Sequence, residues 1–463
     1  MCILLWTLPT SNHPRFKLAF ASNRDEFMAR DTSRADFWDL DTILERATRP
    51  DTAPTTSKSN VGVLSGQDLQ PSAAVNYIIQ EVETTADGAE KVALTLSTED
   101  LPGTWLGITT HGDLVALTNY RETITYMSEI RDPKLSRGKV CGEYLVTMAA
   151  AHDSAEADTS KESAVAEDRA EQWIRKRAKG WETEFEGLNL LVVQNAGHQQ
   201  YVGTNREGSE LMIFKKYADS AKAAIATEYS LQQTKEVPVE ESAASSSSST
   251  AVDAEASSSK DQHSIVPGSV VGVSNSVFSA PWNKVKIGTE ALEKTLNKSV
   301  ELFGNGAQAR LGYTVSEAQA MDDDAKEVAW LVIEMLSLLR HNTSPFPEGS
   351  LDLVDTFGAL RERVFIPKID LGQAGADYGT RSSTVVLFGR NSPLAVYVEK
   401  VWYGSRNETT GERTLFAHDS CEGLVWWQGQ VGRPRHEWRR VEGDELQVLV
   451  QAAKDVHKQE TNM

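Results

Sequence analysis

Residues 2–27 read Cys2-Ile3-Leu4-Leu5-Trp6-Thr7-Leu8, then Pro9-Thr10-Ser11-Asn12-His13-Pro14-Arg15, then Phe16-Lys17-Leu18-Ala19-Phe20-Ala21-Ser22-Asn23-Arg24-Asp25-Glu26-Phe27. Two apolar runs flank a polar, proline-containing connection, the pattern of an antiparallel hairpin. Such a hairpin sets the start of its first strand beside the end of its second. Cys2 therefore comes close to Asn23-Arg24-Asp25-Glu26, four polar residues expected to close the second strand and to be displayed at its end.

Working outward, further strand-like runs occupy 105–110 and 114–119, joined by His111-Gly112-Asp113, and 188–194 and 200–204, joined by a glycine-containing turn. Others lie at 270–274, 383–388 and 394–403. Segments with 3.6-residue periodicity fall between or after them, at 138–151, 285–297, 316–341 and 441–458. Strands in hairpin-linked series with helices grouped later point to an α+β fold of antiparallel sheets covered by helices, not to alternating βαβ units. No glycine-rich phosphate loop occurs.

The chain reads as one domain over 1–463 carrying a disordered serine-rich acidic insert at 232–262 and polar loop insertions at about 70–100 and 152–170. With 66 acidic and 47 basic residues the formal charge is −19, which argues against nucleic-acid or anionic-membrane partners. Three cysteines, Cys2, Cys141 and Cys421, make no disulfide framework, and no Cys or His spacing resembles a metal site. Cys141 and Cys421 read as core or incidental thiols. His13, His111 and His152 read as loop residues. Trp105, Trp282, Trp402, Trp426 and Trp427 read as packing anchors. The N-terminus lacks a basic region and no run of about 18 apolar residues follows. The expectation is an intracellular chain without a membrane span.

A cysteine directly after the initiator methionine has two readings. It is a small buried hydrophobe opening a strand, or, once Met1 is removed, a residue that carries thiol and α-amine together, nucleophile and base in one. Asp25 would hold the amine and Arg24 an anion, or both belong to a solvated turn. Asn119 and Asn275 end apolar strands, where a side-chain amide serves either as an oxyanion donor or as a turn former. Arg381 precedes the 383–388 strand, an ordinary place for a surface ion pair.

Together these segments resemble the NRDE protein family, also called the transport and Golgi organisation family, of the N-terminal-nucleophile (Ntn) hydrolase superfamily. The resemblance is carried by Met1-Cys2-Ile3, by Asn23-Arg24-Asp25-Glu26 with Phe27, Arg30 and Trp38, and by Gly103-Thr104-Trp105-Leu106-Gly107. It continues through Thr118-Asn119-Tyr120-Arg121, Ser136-Arg137-Gly138, Gly272-Val273-Ser274-Asn275-Ser276 with Pro281, Trp282 and Lys284, and Gly379-Thr380-Arg381-Ser382-Ser383. It implies a four-layer αββα sandwich and a role in Golgi organisation and protein secretion.

By similarity to the bile-salt hydrolase and penicillin acylase branch, Cys2 is the implied nucleophile on a linear amide. Asp25 fixes the amine, Asn119 and Asn275 hold the oxyanion, and Arg381 tunes the thiol downward. Asn23, Arg24, Trp105 and Tyr120 are the implied substrate contacts, although Arg24 stands between Asn and Asp where that branch places its arginine earlier. Ser65-Gly66-Gln67-Asp68-Leu69 departs from the family's Gly-Gly-Arg-Asp-Leu, a change at the rim of the site. The resemblance implies no resident cofactor and no metal. Its alternative is a non-catalytic carrier of a small ligand, haem among them, through the same pocket. The implied address is cytoplasmic, Golgi-associated or mitochondrial.

Overall fold

The computed structural model describes residues 2–46, 60–69, 78–84, 90–97, 99, 101–120, 135–156, 169–178, 180–206, 210–215, 226–230, 268–304, 323–341, 353–370, 377–406 and 413–461. The 232–262 insert, most of the 152–170 segment and Met1 lie outside these residues. The hairpin read from the sequence is present. Strand β1 (Ile3–Thr7) pairs antiparallel with β2 (Phe16–Phe27) in the register Ile3 to Asn23 and Trp6 to Phe20. The second strand runs longer than its apolar stretch. It carries the whole Asn23–Glu26 tetrad inside the ladder instead of releasing it at the end.

One eight-stranded sheet has the order β13-β1-β2-β15-β16-β19-β20, with β14 attached to β15. Here β13 is Val270–Val273, β14 Ile369–Asp370, β15 Asp377–Gly389, β16 Leu394–Val401, β19 Leu424–Gln430 and β20 Arg439–Val441. The second, also of eight strands, has the order β12-β11-β10-β9-β8-β7-β4-β3. It is built from β3 (Asp36–Phe37), β4 (Val63–Ser65), β7 (Leu106–Thr109), β8 (Leu114–Asn119), β9 (Leu188–Gln194), β10 (Gln199–Thr204), β11 (Glu210–Lys215) and β12 (Ala226–Ser230). All the recorded strand pairings in both sheets are antiparallel. Two ribbons stand apart, β5 (Ile78–Thr84) with β6 (Glu90–Ser97) inside the 70–100 insertion, and β17 (Tyr403–Arg406) with β18 (Arg413–Leu415).

The period of two along each strand sorts side chains onto opposite faces, and the core divides accordingly. Leu4, Trp6, Leu18 and Phe20 of the first sheet meet Leu106, Ile108, Leu114, Leu191 and Val193 of the second in a layer between the sheets. The odd-numbered Ile3, Leu5, Ala19 and Ala21 face the other way, against helices.

Helices α1 (Leu40–Arg46), α2 (Arg137–Glu156), α3 (Arg169–Ala178) and α4 (Trp181–Glu184) cover the outer face of the second sheet. On the first sheet lie α5 (Asn283–Phe303), α6 (Asp323–Leu339) and α8 (Gly443–Thr461), with α7 (Leu353–Arg361) following α6. The result is the αββα sandwich that the resemblance implied. His152, read as a loop residue, belongs to α2. Cys141, on the same helix, is fully buried as expected.

Close approach of α5 to β1 depends on Gly288. A Cβ there would lie 2.8 Å from Leu5 Cδ1, closer than nonbonded carbons tolerate. The helix can therefore rest its first turns directly on the strand that begins at Cys2.

Candidate active site

Antiparallel pairing gathers particular strand ends. Leu4 pairs with Val273, so β13 ends where β1 begins. Asp25 pairs with Thr380 near the start of β15. From the second sheet, β8 reaches the same place, because Thr118 Oγ1 donates to the Ser274 carbonyl at 2.6 Å. Asn189 reinforces this bridge between the sheets, its Nδ2 donating to the carbonyls of Ser274 and Ser276 at 2.8 Å each and to Thr118 Oγ1 at 3.1 Å.

Cys2 sits in this convergence, half-buried. Ser274 Oγ donates to its carbonyl at 2.6 Å, and its own Sγ lies 3.9 Å from the backbone oxygen of Asp25. Burial pushes the Cys2 thiol up, and the Asp25 charge adds to that, whereas the Arg24 guanidinium opposes it. Arg381 is not among the main groups shifting the Cys2 thiol. The opposing guanidinium is that of Arg24, and it does not overcome burial.

Alternation splits the tetrad. Asn23 and Asp25 take the helix face, and Arg24 takes the face toward the second sheet. Asn23 is committed to the protein: Nδ2 donates to the carbonyls of Leu339 at 2.7 Å and Val364 at 2.8 Å, and Oδ1 accepts from Ser383 Oγ. It ties the end of α6 to the sheet.

Asp25 is buried, its Oδ1 accepting from Thr380 Oγ1 at 2.6 Å, and that hydroxyl in turn accepts from the Ile366 N–H at 2.8 Å. The other carboxylate oxygen lies 4.0 Å from Nζ of Lys284, and both side chains are 0% exposed. Burial pulls the Lys284 ammonium down, while Asp25 and Cys2 push it back up.

Arg24 is buried with its guanidinium 3.7 Å from the ring centroid of Trp105, a stacked cation–π contact. Its Nη2 stands 3.9 Å from Glu26 Oε2, and its buried Nη1 has no hydrogen-bond partner among the described residues. Glu26 also lies 3.8 Å from Arg30 Nη1, and Arg30 Nε makes a bidentate contact with Asp68 at 3.1 and 3.0 Å. The Gln67-Asp68-Leu69 departure thus keeps its carboxylate as the partner of Arg30.

Asn275 and Asn119 come together, but by a route the sequence did not disclose. The Asn275 Nδ2 donates to the backbone oxygen of Asn119, leaving one of its two N–H groups for other work. Tyr120 follows directly, its N–H held by the Gly187 carbonyl at 2.7 Å.

Arg381 lies inside β15 and not ahead of it, at a register shift between Thr380 and Ser382. Such a bulge re-aims a side chain. Its Nη1 donates to the Arg30 carbonyl, and it lines a cavity of about 160 Å³ with Arg34, Ser382 and the buried Glu399. A larger cavity of about 350 Å³ is lined by Ser33, Arg34, Asp36, Phe37, Gln67 and Arg440. Neither is lined by Cys2.

The structure therefore groups Cys2, Asp25, Asn119 and Asn275, places Arg24, Trp105 and Tyr120 beside them, and sets Arg381 on the Arg24 side. Ser274, Thr380, Asn189 and Lys284 were missed as site residues. Lys284 carried only the family resemblance in the sequence, and the hydroxyls acquire roles only through partners distant in sequence. Among the described residues no group of three or more His, Cys, Asp or Glu side chains could hold a metal, and no helix is long and apolar enough to cross a membrane.

Comparison with known proteins places this geometry in context. The family model for Transport and Golgi organisation 2 matches residues 1–46 and 85–404. A cattle protein, the Transport and Golgi organization protein 2 homolog, is 22% identical over 421 residues, spanning 89% of this chain and 97% of its own. The human homolog of the same name is 31% identical over 123 residues, 26% of this chain and 28% of that one. Among solved structures, a mutant conjugated bile acid hydrolase from Clostridium perfringens aligns over 90% of this chain and 97% of its own, with a TM-score of 0.31 and 10% identity. That likeness is too loose to transfer the role of any residue.

Proposed function

The chain belongs to the Transport and Golgi organisation 2 family, and from that premise we propose that it serves Golgi organisation and secretion from the cytoplasmic side by acting, through Cys2, on the C–N bond of a linear amide. The observation that carries this reading is the convergence on Cys2 of a buried carboxylate, two strand-end asparagines and a stacked guanidinium. In the proposed reaction, removal of Met1 frees the Cys2 α-amine, which takes the thiol proton. Sγ then attacks the carbonyl carbon while the amide N–H groups of Asn119 and Asn275 hold the oxygen. The C–N bond breaks, and the nitrogen leaves with the proton. Water hydrolyses the thioester, releasing the acid and restoring the thiol. Losing one oxyanion donor is worth about 2.7–4 kcal/mol of barrier.

Mass spectrometry of the purified protein tests this directly. The expected result is loss of Met1 and a single acyl adduct on Cys2 after treatment with an electrophilic amide or lactone. Retained Met1 would sink the mechanism, because no free α-amine would exist.

A second reading rests on a different observation, the buried Nη1 of Arg24 beside the Trp105 ring, a donor with no hydrogen-bond partner among the described residues. A buried donor without a partner favours a ligand that brings an acceptor. Under this reading the site carries an anionic, partly planar small molecule, haem falling in that class, and Cys2 is a ligand contact. Normal rescue of a Golgi phenotype by Cys2→Ala, together with failure of Arg24→Met to rescue, would select it over hydrolysis.

A further inference from the structure

Lys284 occupies a place that elementary electrostatics disfavours twice. It is wholly buried, and it stands at the second position of α5, where the positive end of the helix dipole repels a cation. A lysine held there needs a compensating partner. The structure supplies one, the Asp25 carboxylate, whose Oδ2 lies 4.0 Å away. The backbone oxygen of the same residue receives the Cys2 thiol at 3.9 Å. Gly288, one turn further along α5, lets the helix lie on Leu5 and so carries Lys284 to the mouth of β1. The Trp282 ring lies 5.7 Å from the same ammonium and forms part of its apolar surroundings.

We propose that Lys284 is a positioning residue of the Cys2 centre: its ammonium fixes the Asp25 carboxylate, and with it the backbone that faces Sγ, and it supplies the positive charge that offsets a thiolate on Cys2. This rests on the reading of Cys2 as the reactive group and adds to it the source of charge compensation. When the thiol ionises its proton passes to solvent or to the α-amine, and the negative charge left on sulfur falls within electrostatic reach of the buried Lys284 ammonium. Burial raises the thiol and lowers the lysine, and the charges of Asp25 and Cys2 act against the lysine's shift.

The test reads thiolate directly and needs no substrate. Full-length protein is alkylated with iodoacetamide across pH, and the Cys2 peptide is quantified by mass spectrometry so that Cys141 and Cys421 do not contribute. Lys284→Met is expected to move the midpoint of Cys2 alkylation upward by about one pH unit, with a roughly tenfold slower rate at neutral pH. Lys284→Arg is expected to restore the midpoint toward that of the wild type, which a purely structural role would not do. Because Lys284→Met takes a cation from beside the buried Asp25, the double variant Asp25→Asn with Lys284→Met is measured beside Asp25→Asn. The double variant is expected to show the higher midpoint.

An unmoved midpoint in folded Lys284→Met, or no difference between the double variant and Asp25→Asn, overturns the proposal, as does failure of both Lys284→Met variants to fold, which would assign Lys284 to the fold alone. The outcome is separable from that of the hydrolase reading. If Met1 is retained and the midpoint still moves, hydrolysis fails and the role of Lys284 stands.

Discussion

Strand β8 carries a polar cluster at each end, and the two are built on opposite principles. Next to its first residue Asp113 is buried, yet its Oδ2 accepts from Thr109 Oγ1 at 2.8 Å and meets His152 Nε2 at 2.9 Å, with the His111 and His152 rings stacked at a centroid distance of 4.3 Å. Burial alone would raise that carboxyl, but His152 and Thr109 hold it below its ordinary value. Partners win over desolvation there. At the other end, beside Asn119, burial wins: the Cys2 thiol is raised and the Lys284 ammonium lowered. At one end partners outweigh burial and hold a charge in place, whereas at the other burial outweighs partners and leaves two ionisable groups shifted toward their neutral forms.

The contrast is open to experiment. The largest effect is expected from Cys2→Ala, which removes the adduct and the turnover altogether while the melting temperature stays within a few degrees of the parent. Comparable residual turnover would break the contrast at its centre. Asn275→Ala takes away one oxyanion donor and the hydrogen bond that positions Asn119. Turnover should fall by about 10²–10³-fold with KM little changed, as steady-state kinetics would report.

Asp113→Ala should act in the opposite sense. It is expected to reduce stability by about 1–3 kcal/mol in denaturant titrations and to leave the Cys2 alkylation rate unaltered. If that rate changed instead, the two ends would be coupled through β8.

The mildest lever is pH. The Asp113 carboxyl is lowered in the folded state, so its stabilisation is complete above the unfolded carboxylate value of about 3.9 and is lost as pH falls through the folded value. His13 is buried and lowered to about 3, so its contribution is complete above about 6.5 and declines between there and about 3, because the unfolded chain takes up the proton first. Stability measured downward from pH 7 should therefore decline first with the His13 slope and steepen in the carboxylate range. That acid limb should be shallower in Asp113→Ala. Raising pH should instead increase Cys2 alkylation.

How much of this was legible can be judged residue by residue. The β1–β2 hairpin could be read because apolar runs around a polar turn have few alternatives. The αββα layering followed from the resemblance and from the order of strands and helices. The tetrad does close β2 beside the start of β1, but pairing with the thirteen-residue β15 keeps it in the ladder through to Phe27. Asn23, read as a substrate contact, binds two carbonyls that lie 316 and 341 residues away in sequence. Arg381 was expected ahead of its strand, and the bulge that re-aims it has no local marker in Thr380-Arg381-Ser382.

What the sequence determined by itself is the identity of the most apolar strands, β1, β2, β7, β8, β9, β10, β13, β15 and β16, and of the thiol next to Met1, because hydrophobic period and covalent position are local properties. Only the tertiary structure decided which charges that thiol meets. Burial and partner distance are set by the packing of α5 on β1 and of β8 against β13, segments far apart in the chain. Lys284 shows the difference most clearly: the sequence shows a lysine after Pro281-Trp282-Asn283, and only the fold buries it wholly, 4.0 Å from Asp25.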